Sequence, residues 1–173
     1  MIALMAPLAL AAPLPQPAGN AASLAKRNVG AATIHNNCNF DITVNPTMNG
    51  GDKGTQTIPA GRTWSQQQMD FGGAGQGVSL KIKKVGGSIN NIAQFEYTVS
   101  EAMQLVFYDL SLINGNPFVD QLQRLSASGT GPSVDCKAGE QPCAAAYTWP
   151  EQVATKAAPL GSNLDYYICS ISK

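Results

Sequence analysis

Apolar and polar positions alternate along much of the chain, with the period of two that marks half-buried β-strands. Val78, Leu80 and Ile82 alternate with Ser79, Lys81 and Lys83, which predicts a strand with an apolar inner face and a basic outer one. Ala32–His35, Phe40–Val44, Arg62–Met69, Ile89–Val99 and Gln104–Leu110 read as further strands, and Asp165–Cys169 as a closing one. Thr57–Gly61 is a turn, and Asp70–Gly77 is a glycine-rich linker without the Gly-Lys-Ser/Thr of a phosphate cradle. After Phe118 the alternation weakens. Ser126–Gly131 is small and polar, and Ala144–Lys156 has mixed propensity interrupted by Pro150. Alternating strands need a second apolar layer to cover them, so the pattern predicts a mainly β, antiparallel sandwich. Neither an internal repeat nor a heptad is visible.

The most informative stretch runs from Phe107 to Phe118. It starts as a strand and breaks into Asn114-Gly115-Asn116-Pro117, where glycine accepts positive φ and proline stops the ladder. Asp109 sits mid-strand, where a charge is costly unless it is hydrogen-bonded or faces a cleft.

Length and composition narrow the class. The 173 residues suffice for one domain with its own core, and 13% charged residues with 17 Gly and 11 Pro suit many short strands and turns. Zero formal net charge gives no electrostatic case for nucleic acid or an anionic membrane. Residues 1–11 read as a signal peptide, with a small-x-small cleavage pattern at Ala9-Leu10-Ala11. Residues 12–27 read as a propeptide-like leader ending at the dibasic pair Lys26-Arg27, and residues 28–173 as the mature domain. A secreted, extracellular or cell-wall location follows, with no membrane contact after processing.

Secretion sets how the four cysteines are read: an even number in an oxidising compartment predicts two disulfides, in one of three pairings. Cys136 and Cys143 bracket a short loop and favour each other on proximity, which would leave Cys38 for Cys169. Closing that long loop would remove roughly 4–5 kcal/mol of unfolded-state entropy. A zinc site fits poorly, since there is no Cys-x-x-Cys and a single histidine, His35. No metal, cofactor or valid N-glycosylation sequon is expected; Asn45-Pro46-Thr47 fails because of its proline.

Tyr108-Asp109-Leu110-Ser111-Leu112-Ile113-Asn114-Gly115 resembles the Tyr-Asp-(Leu/Val)-Ser-Leu-Val-Asp-Gly signature of thaumatin-like proteins. The Asn36-Asn37-Cys38 opening, Cys143-Ala-Ala-Ala-Tyr147-Thr-Trp149 and the final strand ending in Cys169 resemble the same proteins in the same order. The resemblance spans about residues 30–170 and is closest to small fungal relatives, the Blastomyces yeast-phase-specific protein family. It implies a thaumatin-like β-sandwich, or flattened barrel, with a short disulfide-closed loop in place of a large second domain. It also implies a link between the first and last cysteines, Cys38 and Cys169.

Many plant members have a cleft of one Arg, one Glu and three Asp, implied in binding β-1,3-glucan and in some cases hydrolysing it. Carried over residue by residue, the resemblance puts the basic position at Lys81, the Glu at Gln94, the first Asp at Asp109 and the second at Asn114. The third falls around Glu151 or Gln152. Two positions are thus amides, which hold shape and hydrogen-bond a sugar but cannot transfer a proton. Lysine in place of arginine loses the planar fork. Glu96 shares a strand face with Gln94 and is a candidate replacement carboxyl, although such a residue is more often a solvated strand charge. The candidate cleft is therefore Lys81, Gln94, Glu96, Asp109, Asn114 and Glu151. Trp64, Tyr108, Tyr147 and Trp149 are aromatic candidates for stacking on sugar or for the core.

Three functions remain in view. One is non-catalytic binding of β-glucan, other cell-wall polysaccharide or a host component. A second is weak endo-β-1,3-glucanase activity through Asp109 with Glu96 or Glu151, since glycoside hydrolysis needs two carboxyls. A third is a secreted effector or antigen with a protein-binding surface. A monomer is expected.

Overall fold

The computed structural model describes residues 29–48, 51–70, 76–129 and 131–170. The signal-peptide reading and the Lys26-Arg27 site lie outside them. Twelve strands are present among the described residues and no helix. In chain order they are β1 (Ala31–Asn36), β2 (Ile42–Met48), β3 (Gly51–Asp52), β4 (Gln56–Ile58), β5 (Thr63–Gln67) and β6 (Val78–Lys84). There follow β7 (Ala93–Ser100), β8 (Leu105–Ser111), β9 (Gln123–Ala127), β10 (Ser133–Cys136), β11 (Lys156–Pro159) and β12 (Leu164–Ile168).

They form two sheets. A five-stranded sheet has the order β10-β9-β12-β1-β5; a seven-stranded one runs β11-β8-β7-β6-β2-β3, with β4 also on β2. The sheets remain separate rather than closing into the flattened barrel that the resemblance implied. The expected antiparallel sandwich is present, with one parallel pair among its named strands: β1 and β12, Ala32 opposite Leu164 through Asn36 opposite Ile168. Strands far apart in sequence are free to meet in either direction, whereas hairpin neighbours must be antiparallel.

Period-two alternation supplies the core. Leu80, Ile82, Phe95, Tyr108 and Leu110 from the larger sheet meet Ile34, Leu125, Leu164, Tyr166 and Ile168 from the smaller, all buried. Tyr108, a stacking candidate on sequence, points into this core and donates its hydroxyl hydrogen bond to the Pro132 carbonyl. Trp64 packs partly against the core and donates Nε1–H to Gln56 Oε1 at 3.0 Å.

Pro46 lies inside β2, opposite Leu80, yet β4 pairs only Ile42–Val44 and β3 only Thr47–Met48. The gap between those two short strands falls where proline has no N–H to give. The two disulfides join Cys38 to Cys169 and Cys136 to Cys143. The first fastens the ends of the parallel pair; the second closes a loop of sequence separation 7.

The Asn114–Pro117 turn is fixed by contacts only glycine allows. Gly115 has φ +109°, and a Cβ there would stand 2.4 Å from Asn91 Oδ1. Beyond it, Asn116 Oδ1 accepts from Phe118 N (3.1 Å) and from Gln123 Nε2 (3.0 Å). Gln123 Oε1 accepts from the buried Tyr166 hydroxyl at 2.7 Å. This chain of hydrogen bonds ties the turn after β8 to the opposite sheet.

Candidate functional site

The outer face of the seven-stranded sheet carries the candidate residues because alternation that sends Leu80, Phe95 and Leu110 inward sends their neighbours outward. Strand register then sets them in rows. Thr47 pairs with Ser79, Ser79 with Glu96, and Glu96 with Asp109. One step along the strands, Asn45 pairs with Lys81, Lys81 with Gln94, and Gln94 with Ser111.

The first row floors a cleft of about 500 Å³ that Thr98, Phe107 and Thr155 also line. Glu96 and Asp109 are directly opposite on neighbouring strands, which sets their Cβ atoms roughly 4.5–5.5 Å apart. Burial, and secondarily the charge of Glu96, pushes the Asp109 carboxyl up to about 7. Its Oδ1 is buried without a hydrogen-bond partner. Burial also raises Glu96, while Ser79 and Lys81 pull it back toward the ionised form. Ser79 Oγ also lies 3.3 Å from Gln94 Oε1, and its one hydroxyl proton serves only one of these acceptors at a time. The outcome is a pair in which Asp109 holds a proton near neutral pH and Glu96 gives its proton up first.

The remaining candidates are placed differently. Gln94 Nε2 donates to Asn114 Oδ1 at 3.0 Å, so the two amides close on each other beside the cleft. Lys81 lines an adjoining pocket. Glu151 is exposed on the loop after β10 and lines neither space. Its neighbour Gln152 holds that loop in shape, accepting from Thr148 N (2.9 Å) and donating to the Ala144 carbonyl (3.2 Å). Tyr147 joins the end of β8, and its hydroxyl meets Thr155 Oγ1 at 2.8 Å on the cleft's edge. Trp149 stands on the same loop, 49% exposed.

Sequence reasoning passed over Thr47, Ser79, Thr98, Thr155 and Phe107. Ser79, Thr98 and Phe107 share the outward phase of Glu96 and Asp109, so the alternation itself carried that signal. Among the described residues, no group of three or more His, Cys, Asp or Glu could hold a metal ion. Nor is any helix among them long and apolar enough to cross a membrane.

The family profile described as Blastomyces yeast-phase-specific protein matches residues 19–170. The chain belongs to that family. An antigenic thaumatin-like protein of Arthroderma benhamiae is 34% identical over 151 residues, covering 86% of this chain and 75% of the relative. Among solved structures, the protein elicitor MoHrip2 from Magnaporthe oryzae superposes with a TM-score of 0.69 at 24% identity, over 82% of this chain and all of that one. The thaumatin-like xylanase inhibitor TLXI gives a TM-score of 0.53 at 18% identity, over 80% of this chain and 99% of that one. At those identities the two structures establish the thaumatin-like fold.

Proposed function

We propose that this family member is secreted and binds cell-wall β-glucan without cleaving it, through the outer face of the seven-stranded sheet. The observation that carries the reading is the Ser79–Glu96–Asp109 row under an open cleft, with hydroxyls on both sides and Phe107 two residues from Asp109 on the same face. A sugar ring offers an apolar face to an aromatic and hydroxyls to carboxyl and hydroxyl groups, and Asp109 Oδ1 is left without a partner to meet one. Two disulfides, together with similarity to an antigenic protein and a protein elicitor, support work outside the cell, in reach of host components.

The absence of cleavage follows from where the acids stand. Both rise side by side from one floor, so a glycosidic bond above them meets both from the same side. Hydrolysis by either stereochemical route needs carboxyls flanking the bond. Co-sedimentation with insoluble β-1,3-glucan tests the reading: the protein is expected in the pellet, with Phe107→Ala shifted to the supernatant. Full recovery of the unaltered protein in the supernatant sinks it.

One observation favours a second reading, a weak β-1,3-glucanase. Two adjacent carboxyls with unequal proton affinity are what an acid and a base require. Reducing-sugar release that disappears in both Asp109→Asn and Glu96→Gln would establish it, and release at background level removes it.

A further inference from the structure

The outer face does not end at the acid row. About 13 Å along the strands, at roughly 3.3 Å per residue from Ser79 to Lys83, lies a second, smaller hollow of about 220 Å³. Its wall holds Lys81 and Lys83, the hydroxyl residues Thr43 and Thr55, and the side chains of Ile89 and Ile92. Lys81 is between two carboxylates, acting on Asp52 on one side and Glu96 on the other. Lys83 differs. Its Nζ donates to the Gly87 carbonyl at 3.2 Å, which leaves two of its three protons, and it has no ion pair among the described residues. Lys84, the next residue, is already committed to Asp120 at 3.3 Å and to the Phe40 ring.

The same hollow contains an unmet acceptor. Asn45 donates through Nδ2 to Asp52 at 2.7 Å, but its Oδ1 is buried without a partner. An occupant that uses the whole wall brings an anion for Lys83 and hydroxyls for Thr43 and Thr55. It must also offer an apolar flank to Ile89, which is 75% exposed, and to Ile92. A neutral sugar lacks the first of these, and inorganic phosphate lacks the last.

We propose that this hollow is a subsite for a hexuronate unit, so that acidic glycans, whose carboxylate pairs with Lys83, are a second class of ligand for this face beside neutral glucan. The assignment rests on the reading of this face as a glycan-binding surface and names a further class of chain for it. Ring hydroxyls meet the Thr43 and Thr55 hydroxyls, and the ring's C–H face lies on the isoleucines. Neighbouring units continue over the Lys81 row toward Asp109.

Calorimetric titration of the whole protein with a tetragalacturonate and with a neutral β-1,3-gluco-tetraose tests this. Tetragalacturonate is expected to bind and to weaken about tenfold or more in Lys83→Met and in 0.5 M salt, where the Debye length lies between the roughly 10 Å of 0.1 M and the roughly 3 Å of 1 M. Lys83→Arg keeps the charge and is expected to hold affinity within about threefold. Thr55→Val, on an exposed turn where folding is not at stake, is expected to weaken it by a smaller factor. The neutral oligosaccharide is expected to be indifferent to Lys83. Tetragalacturonate affinity unmoved by both Lys83→Met and Thr55→Val overturns the subsite. So does its failure to bind beside intact glucan binding, an outcome that leaves the glucan reading standing. Lys83-dependent uronate binding without glucan binding has the opposite meaning, and binding of neither ends both.

Discussion

The two outward faces of this sandwich are built from the same alternation and treat their polar groups in opposite ways. On the five-stranded sheet the groups satisfy one another. His35 Nε2 lies 2.8 Å from Asp165 Oδ1 and its ring stacks on Tyr167 at 4.2 Å. Thr33 and Ser65 hydroxyls meet at 3.0 Å, and Arg124 approaches Asp135 at 3.5 Å. On the seven-stranded sheet Asp109 Oδ1 and Asn45 Oδ1 are buried and unpartnered, and two carboxyls are forced together. A buried acceptor without a donor costs about 1–3 kcal/mol; Asn37 Oδ1 and Gln68 Oε1 carry that cost at the ends of the five-stranded sheet, whereas Asp109 and Asn45 belong to residues that line the hollows of the other face. One sheet closes on itself; the other remains open to a partner.

The sharpest way to break that contrast is to loosen the closed side. Removing the Cys38–Cys169 link with paired alanines should cost about 4 kcal/mol by urea denaturation. Protein still folded in the cold should continue to pellet with glucan; loss of retention along with stability would mean the faces are not separable.

Next in size is Asp109→Asn. The Asp109 carboxyl stands raised to about 7 in the fold, so between about pH 4 and 7 the folded chain binds a proton that the unfolded chain has released. The stability tied to that proton is full below the unfolded value and is lost as pH rises through 7. Asparagine should therefore raise stability at pH 8 by roughly 1–3 kcal/mol, after allowance for solvent screening, and flatten the decline across that window. Thermal melts from pH 4 to 8 read both, and a slope unchanged by the substitution would show that the open face carries no such cost.

The smallest expected effect is at His35. His35→Gln should cost about 0.5–1.5 kcal/mol, for one hydrogen bond and one stacked ring, and leave glucan retention as it was. A fall in retention would give the five-stranded face a share in binding.

How much of this could be read in the chain depends on the sheet. β6, β7 and β8 were legible because burial alternates over Val78–Lys83, Ala93–Ser100 and Leu105–Leu110, and their register brings Glu96 and Asp109 together once the phase is known. β9, β10 and β11 were not, since Gln123–Ala127 carries only Leu125 as a large apolar residue and Lys156–Pro159 is an edge strand ending in proline. Their place comes from partners, not from local preference. The start of β7 was also set too early, because residues 85–92 form the turn that exposes Ile89. The site was half legible for a related reason. Glu96 and Asp109 follow from phase alone, while Gln94 and Asn114 close on each other through a turn whose shape Gly115 decides. Glu151 was proposed from order along the chain, and the loop that Gln152 fastens leaves it outside the cleft.

The parallel pairing of β1 with β12 bears on how the protein is made. β12 lies in the middle of the five-stranded sheet, between β9 and β1, so that layer is missing its centre until residues 164–168 exist. A chain emerging from the ribosome can form the β6-β7-β8 meander early, from neighbours in sequence. It must hold Ala31–Asn36 unpaired on one side through nearly all of its synthesis. Truncation anywhere before Leu164 therefore removes more than an end: it leaves the first strand without the neighbour that fixes its place.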